Sequence, residues 1–501
     1  LPLALAGHAE GARNHGIAVD SLGVHLVAVT VWVGGLGGLA LLHRRLDADL
    51  VVSVRRYSTL AGWCFLLVAV TGVVNAAVNL DGWGTLGTGY GVLLLGKVVA
   101  LTVLGWAGRA QRRQLAARMA ATAAAGRLFG RLVSAELLVM AVAIGLGVAL
   151  ARTGPATVPV GTPDQQAAEA LLGRPMPGPL TPLGWVTQWR LDLLWLLVSL
   201  LAAGWYLRAV LRLRRRGDSW GTGRLVSWLA GCATLIWATN AAPGVYANVL
   251  FSMHMVQHMT IAMAVPLLLA LGAPVTLAVR TLPVRRDGSR GPREWLLLVV
   301  HSRLLRLLSQ PIVAAVLFVG SLIVFYYSPL FDLALSTHTG HVLMTAHFLL
   351  TGYVFVWVIC GPDPGPARLP YPLRLVLLMV TFVFHTFFGV TMMGNSQVLA
   401  RDWFAALPRS WGSSLQTDQF LGGALAWGLG DIPVAVLFGA LALAWLRSED
   451  REARRYDRKA ERDGGAELAA YNAYLSRLGT GRTPVTTTGT DRVTKTGTVR
   501  D

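Results

Sequence analysis

The sequence contains few charged residues and very few cysteines. Charged residues make up only 14% of the 501 residues, against 54% hydrophobic residues. The three cysteines, Cys64, Cys232 and Cys360, lie in apolar segments without CxxC or CxC spacing, which excludes a disulfide framework and a thiolate metal site. So little charge in a chain of this length is far from the composition of a soluble domain. We therefore expect an integral membrane protein.

Acidic residues are also fewer than basic ones, and the formal net charge is +18. The arginines form short clusters between apolar runs instead of lining one face, so we expect no nucleic-acid partner. These clusters occur within residues 44–56, 109–118, 212–216 and 280–293, whereas loops such as 241–247 and 331–339 contain no Lys or Arg. The positive-inside rule then predicts basic cytoplasmic loops, an N-terminus outside and a cytoplasmic C-terminus.

About eleven apolar runs are long enough to cross a membrane, which takes about 20 residues per helix. Because no water satisfies the backbone in lipid, these runs must be helices. We predict an all-α polytopic protein of the bacterial plasma membrane. The predicted spans are residues 19–42, 57–80, 90–108, 128–150, 185–208, 224–240, 248–271, 312–330, 340–360, 372–393 and 420–446.

A proline-rich stretch at residues 151–184 separates the first four predicted helices from the last seven. We place a first membrane domain at 1–155, an outer linker at 156–184 and a second membrane domain at 185–446. Residues 447–501 begin with many charges and end rich in Thr and Gly. We expect a cytoplasmic helical extension followed by a disordered tail, since this composition cannot bury a core.

Soft metal ligands are concentrated in the stretch MHMVQHM, Met253 to Met259. His254 and His258 are spaced i and i+4, so they share one helix face and can reach one ion. Met255 and Met259 share a face in the same way. The methionines are weaker evidence, because Met is also an ordinary filler of helical cores.

Further histidines lie at the same predicted depth in two other helices: His338, His341 and His347 in the ninth and His385 in the tenth. A single histidine in a membrane helix is often a packing residue, but several ionisable groups at one depth indicate function. Three residues along an α-helix fall about 60° short of a full turn. His338 and His347, nine residues apart, therefore point in opposite directions and cannot bind one ion. We expect His254 and His258 to be completed by His341 or His385, with His347 a further candidate.

Imidazoles and thioethers without clustered carboxylates favour copper, particularly Cu(I). The stretch HMVQH lacks the glutamate of an HExxH zinc site, and we expect no enzymatic activity. Haem remains an alternative, because paired histidines on neighbouring helices also hold haem iron in membrane cytochromes.

Two carboxylates near the last helix are structural or outer-sphere candidates. Asp418 stands at the start of that helix, where the helix dipole and the free N–H groups favour a carboxylate. A capping role is therefore favoured over metal binding for this residue. Asp431 is deeper and precedes Pro433. It is expected to satisfy backbone groups freed by the proline or to orient a histidine ligand.

Five motifs of the second domain occur in an order that resembles the CtaG family of caa-type cytochrome c oxidase assembly proteins. They are NVLFSMHMVQHMTIAMAVPLLLALGAPVTL, HVLMTAHFLLTGYVFVW, GPDPGP, FHTFFGVTMMG and DQFLGGALAWGLGDIPVAVLF, within about residues 185–458. The resemblance implies a seven-helix domain that helps to build the oxidase by handing over copper from the outer side. It implies oxidase subunits as partners and His254, His258, His341, His347 and His385 as candidate residues.

The first domain resembles the membrane part of CopD copper resistance and uptake proteins over about residues 7–155. The motifs are VHLVAVTVWVGGLGGLALL, RRYSTLAG, TGYGVLLLGKVVAL and SAELLVMAVAIGLGVALART. This implies copper transport, or receipt of copper from a periplasmic copper-binding protein, with His25, Trp32 and Lys97 as candidate residues. His25 alone is equally well explained by packing, and Lys97 as an ion-pairing or snorkelling residue. CopD domains carry further helices upstream, so we expect an incomplete N-terminal domain.

The combination resembles actinobacterial CopD–CtaG fusions and leaves three functional classes open. An assembly factor needs a site open to the outside, a copper transporter or resistance protein needs ligands at successive depths, and a haem-b redox protein needs facing histidine pairs. The inner halves of the CtaG-like helices contain almost no ligands. The sequence therefore favours the assembly factor.

Overall fold

The computed structural model describes residues 15–46, 50–79, 87–118, 125–153, 162–285, 289–365 and 369–479. Every regular element among these residues is a helix. Ten helices are long and apolar enough to span a membrane, and one pair bent by 73° at a short break adds an eleventh span. The prediction of an all-α membrane protein with about eleven spans is thus confirmed. The predicted orientation defines what we call the outer end of the bundle.

The first four spans are α1 (His15–Leu46), α2 (Leu50–Asn79), α3 (Gly89–Arg118) and α4 (Ala125–Arg152). Helix α1 packs against α2 and α4, and α3 packs against α4. Their shared core is apolar and includes Trp32, Cys64, Leu104 and Met140. The Trp32 ring meets the Phe65 ring edge-on at 5.9 Å, a favourable arrangement for two aromatic side chains.

The proline-rich linker contains two short helices, α5 (Pro163–Leu172) and α6 (Gly184–Thr187). A capping box formed by Thr162 and Gln165 starts α5, and Gly173 in the left-handed conformation ends it. The linker then packs on the short helix at Ala242–Tyr246, which precedes the histidine-rich span. Buried Arg174 donates a hydrogen bond to the Val245 carbonyl, and the Tyr246 hydroxyl donates to the Gly178 carbonyl at 2.8 Å.

The remaining elements follow in chain order. They are α7 (Leu193–Arg215), α8 (Thr222–Asn240), α9 (Ala242–Tyr246), α10 (Phe251–Met259), a π-helical segment (Thr260–Ala264), α11 (Val265–Leu271), α12 (Pro274–Thr281), α13 (Pro292–Val300), α14 (Arg303–Leu308), α15 (Pro311–Tyr326), α16 (Leu330–Ser336), α17 (His338–Cys360), α18 (Tyr371–Gly394), α19 (Arg401–Ala406), α20 (Leu415–Arg462) and α21 (Ala466–Gly479).

Two predicted spans are less regular than expected. The span predicted at 248–271 is divided into α10, the π-helical segment and α11, and α12 follows after Ala273 in the left-handed conformation. The span predicted at 312–330 ends at Tyr326 and continues, bent by 73°, as α16. Pro329 lies in that break, and its ring and missing N–H oppose a straight continuation.

The chain separates into two compact units, residues 1–437 and 438–501. In the second unit, the end of α20 and α21 are joined through Gly464 and Gly465, both with positive φ. Lys459 and Glu467 form an ion pair across this turn. Residues 480–501, predicted to be a disordered tail, lie outside the described part of the chain.

A buried histidine cluster as candidate metal site

The histidine-rich helix α10 is held at its start by a carboxylate from another span. Asp418 of α20 accepts the Phe251 N–H at 2.7 Å, the Ser252 N–H at 3.4 Å and the Ser252 hydroxyl at 2.5 Å. The first N–H groups of a helix have no partner within it, so a carboxylate there forms a charge-assisted cap. We expected Asp418 to cap the helix that it begins. Its carboxylate instead binds the start of α10.

Asp363, in the GPDPGP motif, caps the start of α12 in the same way, at the other end of the segment that begins with α10. It accepts the Val275 N–H at 2.9 Å, the Thr276 N–H at 2.7 Å and the Thr276 hydroxyl at 2.5 Å. Each carboxylate thus binds two consecutive N–H groups and a neighbouring hydroxyl. The segment from α10 to α12 is therefore fixed in position at both ends.

His254 and His258 lie fully inside the protein, with 0% and 2% of their surface exposed. Their ring centroids are 6.4 Å apart and their planes differ by 10°, which confirms the predicted shared face. His254 Nε2 is 3.0 Å from the hydroxyl oxygen of Tyr326. The His258 ring lies edge-on to Phe348, with 4.1 Å between centroids. The two imidazoles thus have aromatic surroundings.

The π-helical segment begins directly after Met259. Such a segment adds a residue to the turn and is frequent at functional sites. Helix α17 crosses it at Gly352, where a Cβ atom would lie 2.0 Å from the Ala262 carbonyl oxygen. Only glycine permits this approach, which brings α17 close to His258.

His385 of α18 contacts the side chain of Met259. Its Nε2 is 3.2 Å from the Met259 sulfur, and both side chains are buried. The ring lies against Gly430 of α20, where a Cβ atom would be 2.2 Å from His385 Cε1. Asp431, the next residue, is partly buried and its Oδ1 atom makes no hydrogen bond. Asp431 therefore lies next to the residue that contacts His385.

The other predicted ligands differ in their surroundings. His341 is half-buried and lies within electrostatic range of both His254 and His338. His347 is exposed, although it lies within electrostatic range of His258. Met255 packs against α20, with its Cγ atom 3.4 Å from the place a Cβ on Gly422 would occupy. Met259, not Met255, is thus the methionine brought to a histidine.

Several imidazole nitrogens in this region are buried without a hydrogen-bond partner: His258 Nε2, His341 Nδ1 and His385 Nδ1. A buried polar atom without a partner is costly, and native proteins contain few of them. A bound metal ion would accept these lone pairs, so the residues fit a metal site. Among the described residues, no three His, Cys, Asp or Glu side chains already form a metal-binding group. Binding of an ion would therefore require the Met259 thioether as a further ligand or small movements of the side chains.

Two of the three candidates in the first domain, His25 and Lys97, lie in a polar cluster. His25 Nδ1 is 2.9 Å from the Thr71 hydroxyl, which favours the packing interpretation of this residue. Lys97 is half-buried, with its Nζ atom close to Gly147 and within electrostatic range of His25. Trp32 is buried in the apolar core, and its Nε1 atom makes no hydrogen bond.

A polar network at the outer end was not predicted from the sequence. Asp20 of α1 binds His338 of α17, with 2.6 Å between Oδ1 and Nε2, and accepts the Leu194 N–H of α7 at 3.3 Å. Asp192 caps α7 through the Trp195 N–H at 3.1 Å. Burial, and then the nearby Asp20 carboxylate, raises the pKa of Asp192 to about 6. An aspartate within an apolar run was the signal that could have indicated Asp20.

Tyr326 was missed as well, and no signal in the sequence singles it out. It is buried at the end of α15, and its hydroxyl contacts His254.

Comparison with known proteins gives separate matches for the two parts of the chain. The family model for the cytochrome c oxidase caa3 assembly factor (CtaG) matches residues 204–448, and the model for copper resistance protein D (CopD) matches residues 51–150. Both motif resemblances are thus confirmed. No solved structure matches the chain.

Three mycobacterial proteins are similar in sequence. Uncharacterized proteins of Mycobacterium bovis and Mycobacterium tuberculosis are 45% identical to the chain over 314 residues, and one of Mycobacterium leprae is 41% identical over the same length. Each alignment covers 62% of this chain and 48% of the relative. The chain therefore spans about half the length of these relatives.

Replacing Asp418 with alanine should destabilise the protein by about 1–3 kcal/mol, because buried donors of Phe251 and Ser252 lose their acceptor. The thermal midpoint in detergent is the measurement. Asp402→Ala, which removes an exposed carboxylate from α19, is the matched control and should leave the midpoint unchanged. Equal midpoints for the two variants would contradict the capping role.

The raised pKa of Asp192 predicts a pH-dependent stability effect. Between the unfolded pKa of about 3.9 and the folded pKa of about 6, the folded state keeps a proton that the unfolded state has lost. Wild-type protein should therefore lose stability relative to Asp192→Asn as the pH rises through this window. The midpoint difference, variant minus wild type, should be larger at about pH 7.5 than at about pH 4. A difference that is independent of pH would contradict the raised pKa of Asp192.

Proposed function

We propose that this chain, which joins a CopD-family region to a CtaG-family region in one multi-pass protein of the plasma membrane, binds Cu(I) in its buried histidine cluster. It then delivers this copper to the copper centre of cytochrome c oxidase. The two families tie the chain to copper resistance and to oxidase assembly. The observation that supports copper binding most directly is the pair His385 and Met259, with 3.2 Å between nitrogen and sulfur beside buried imidazole nitrogens that make no hydrogen bond.

The surroundings of the cluster favour a soft ion of low charge. His254, His258, His385 and Met259 offer neutral imidazoles and a thioether, the ligand types that select Cu(I). Aromatic side chains such as Phe348 pack against them, so the local dielectric constant is low. The cost of burying an ion grows steeply with its charge, and no carboxylate lies among these four ligands to neutralise a divalent ion. A monovalent ion therefore has the smaller penalty.

Copper would enter from the outer end along a row of histidines. His338 is at the start of α17, and His341, one turn further, lies within electrostatic range of both His338 and His254. His258 follows His254 on α10 and lies within electrostatic range of His385. Successive imidazoles allow ligand exchange, in which one Cu–N bond forms as another breaks. The predicted orientation makes this end the periplasmic side, where a copper-binding protein would be the donor.

The CopD-family region would contribute copper acquisition or transport. Its polar cluster around His25, Thr71 and Lys97 lies within the four-helix unit.

Replacing His254 or His258 with alanine should leave an oxidase that contains its haems but lacks most of its active-site copper. A single remaining imidazole of the pair holds the ion poorly, so the double variant should lose little more than either single variant. The measurement is the copper-to-haem ratio of oxidase purified from each strain, with added copper restoring it in part.

His301→Ala is the matched control, because His301 is an exposed histidine outside the cluster. Immunoblots of the membrane fraction should show equal amounts of every variant, since an apolar helix remains. A normal copper-to-haem ratio in the double variant would contradict copper delivery. A Soret band in the purified wild-type protein would instead favour haem binding.

A further inference from the structure

We propose that Asp20 of the first span positions His338 as the first copper ligand at the outer end of the CtaG-family region. The N-terminal region would then form part of the copper path of the second region, besides any activity of its own. This inference rests on the copper-binding function proposed above.

The geometry is that of a carboxylate that orients a histidine ligand. Asp20 Oδ1 is 2.6 Å from His338 Nε2, and the two side chains are 4% and 13% exposed. When Nε2–H donates to a carboxylate, the lone pair of the neutral ring lies on Nδ1, which is then the metal-binding nitrogen. Histidine ligands of metals typically have such a partner on their second nitrogen. Asp20 thus selects the tautomer that can accept copper.

Asp20 is itself held in place by the start of α7. Its Oδ2 atom accepts the Leu194 N–H at 3.3 Å. Arg190, just before α7, lies against α1, since a Cβ atom on Gly16 would be 2.9 Å from an Arg190 guanidinium nitrogen. Arg190 and Asp192 also interact electrostatically with this pair. Three segments of the chain therefore converge on His338.

His338 also occupies the place a first ligand requires. Its side chain keeps 13% exposure, whereas His254 is fully buried. His341 lies within electrostatic range of both His338 and His254. Copper arriving from outside would thus meet His338 before the buried cluster.

A purely structural role for the hydrogen bond between Asp20 and His338 makes a different prediction. If Asp20 and His338 only tied the two regions together, their loss would lower stability and final copper content together. If they form the first ligand site, their loss should slow copper uptake while the inner cluster still fills. The rate of uptake and the final stoichiometry must therefore be measured separately.

The experiment uses the full chain in nanodiscs, mixed with Cu(I) held by a weak coloured chelator. Asp20→Asn and His338→Gln should each slow copper uptake by about tenfold. This is the lower end of the loss in metal affinity or activity that follows when a metal ligand loses its orienting partner. The final copper content and the thermal midpoint should match the wild type. The Gln side chain can still donate to Asp20, so this variant separates copper binding from the structural contact even if Asp20→Asn folds poorly.

The double variant should be no slower than either single variant, because both changes disable one step. Asp332→Asn, an exposed carboxylate on α16, is the control and should take up copper at the wild-type rate. Unchanged uptake in His338→Gln, with wild-type protein binding Cu(I), would overturn this inference and leave the proposed function standing. Equal losses of stability and final copper in Asp20→Asn, with normal uptake in His338→Gln, would also overturn it. Wild-type protein that binds no Cu(I) would overturn both.

Discussion

The capping of α10 by Asp418 is the interaction on which the histidine cluster most depends. Helix α10 is short, and its start lies in the protein interior, where no water could satisfy its first N–H groups. A carboxylate that accepts two N–H groups and the Ser252 hydroxyl fixes both the position and the rotation of the helix. The directions of His254 and His258 follow from that rotation. Asp363 supports the same segment from its other end.

Close helix approach is the second requirement, and glycine provides it. Gly352 lets α17 contact the backbone of the π-helical segment, and Gly430 gives the His385 ring its space. Helices α18 and α20 cross at Gly389 and Gly423, where a Cβ atom on either residue would lie within about 3 Å of the other's carbonyl oxygen. Larger residues at these positions would push apart the helices that carry the cluster. Small residues thus let the helices that carry the histidines approach one another closely.

Much of this arrangement could be predicted from local patterns. Hydropathy gave the spans, and the i and i+4 spacing gave the shared face of His254 and His258, because both depend on residues near each other in sequence. The contacts of Asp418 with α10 and of Asp20 with His338 join residues 167 and 318 positions apart, and no local pattern reports such pairs. The π-helical segment and the hydroxyl contact of Tyr326 likewise depend on tertiary packing.

The most direct test of the account is X-ray absorption at the copper edge on purified protein loaded with Cu(I). A buried site built from the histidines and Met259 predicts an edge typical of Cu(I), with imidazole scattering and one sulfur neighbour. The sulfur contribution should disappear in Met259→Leu and remain in Met176→Leu, which changes a methionine of the linker outside the cluster. Copper that shows no imidazole scattering, or that is lost when the loaded protein is washed, would contradict a copper site in the histidine cluster.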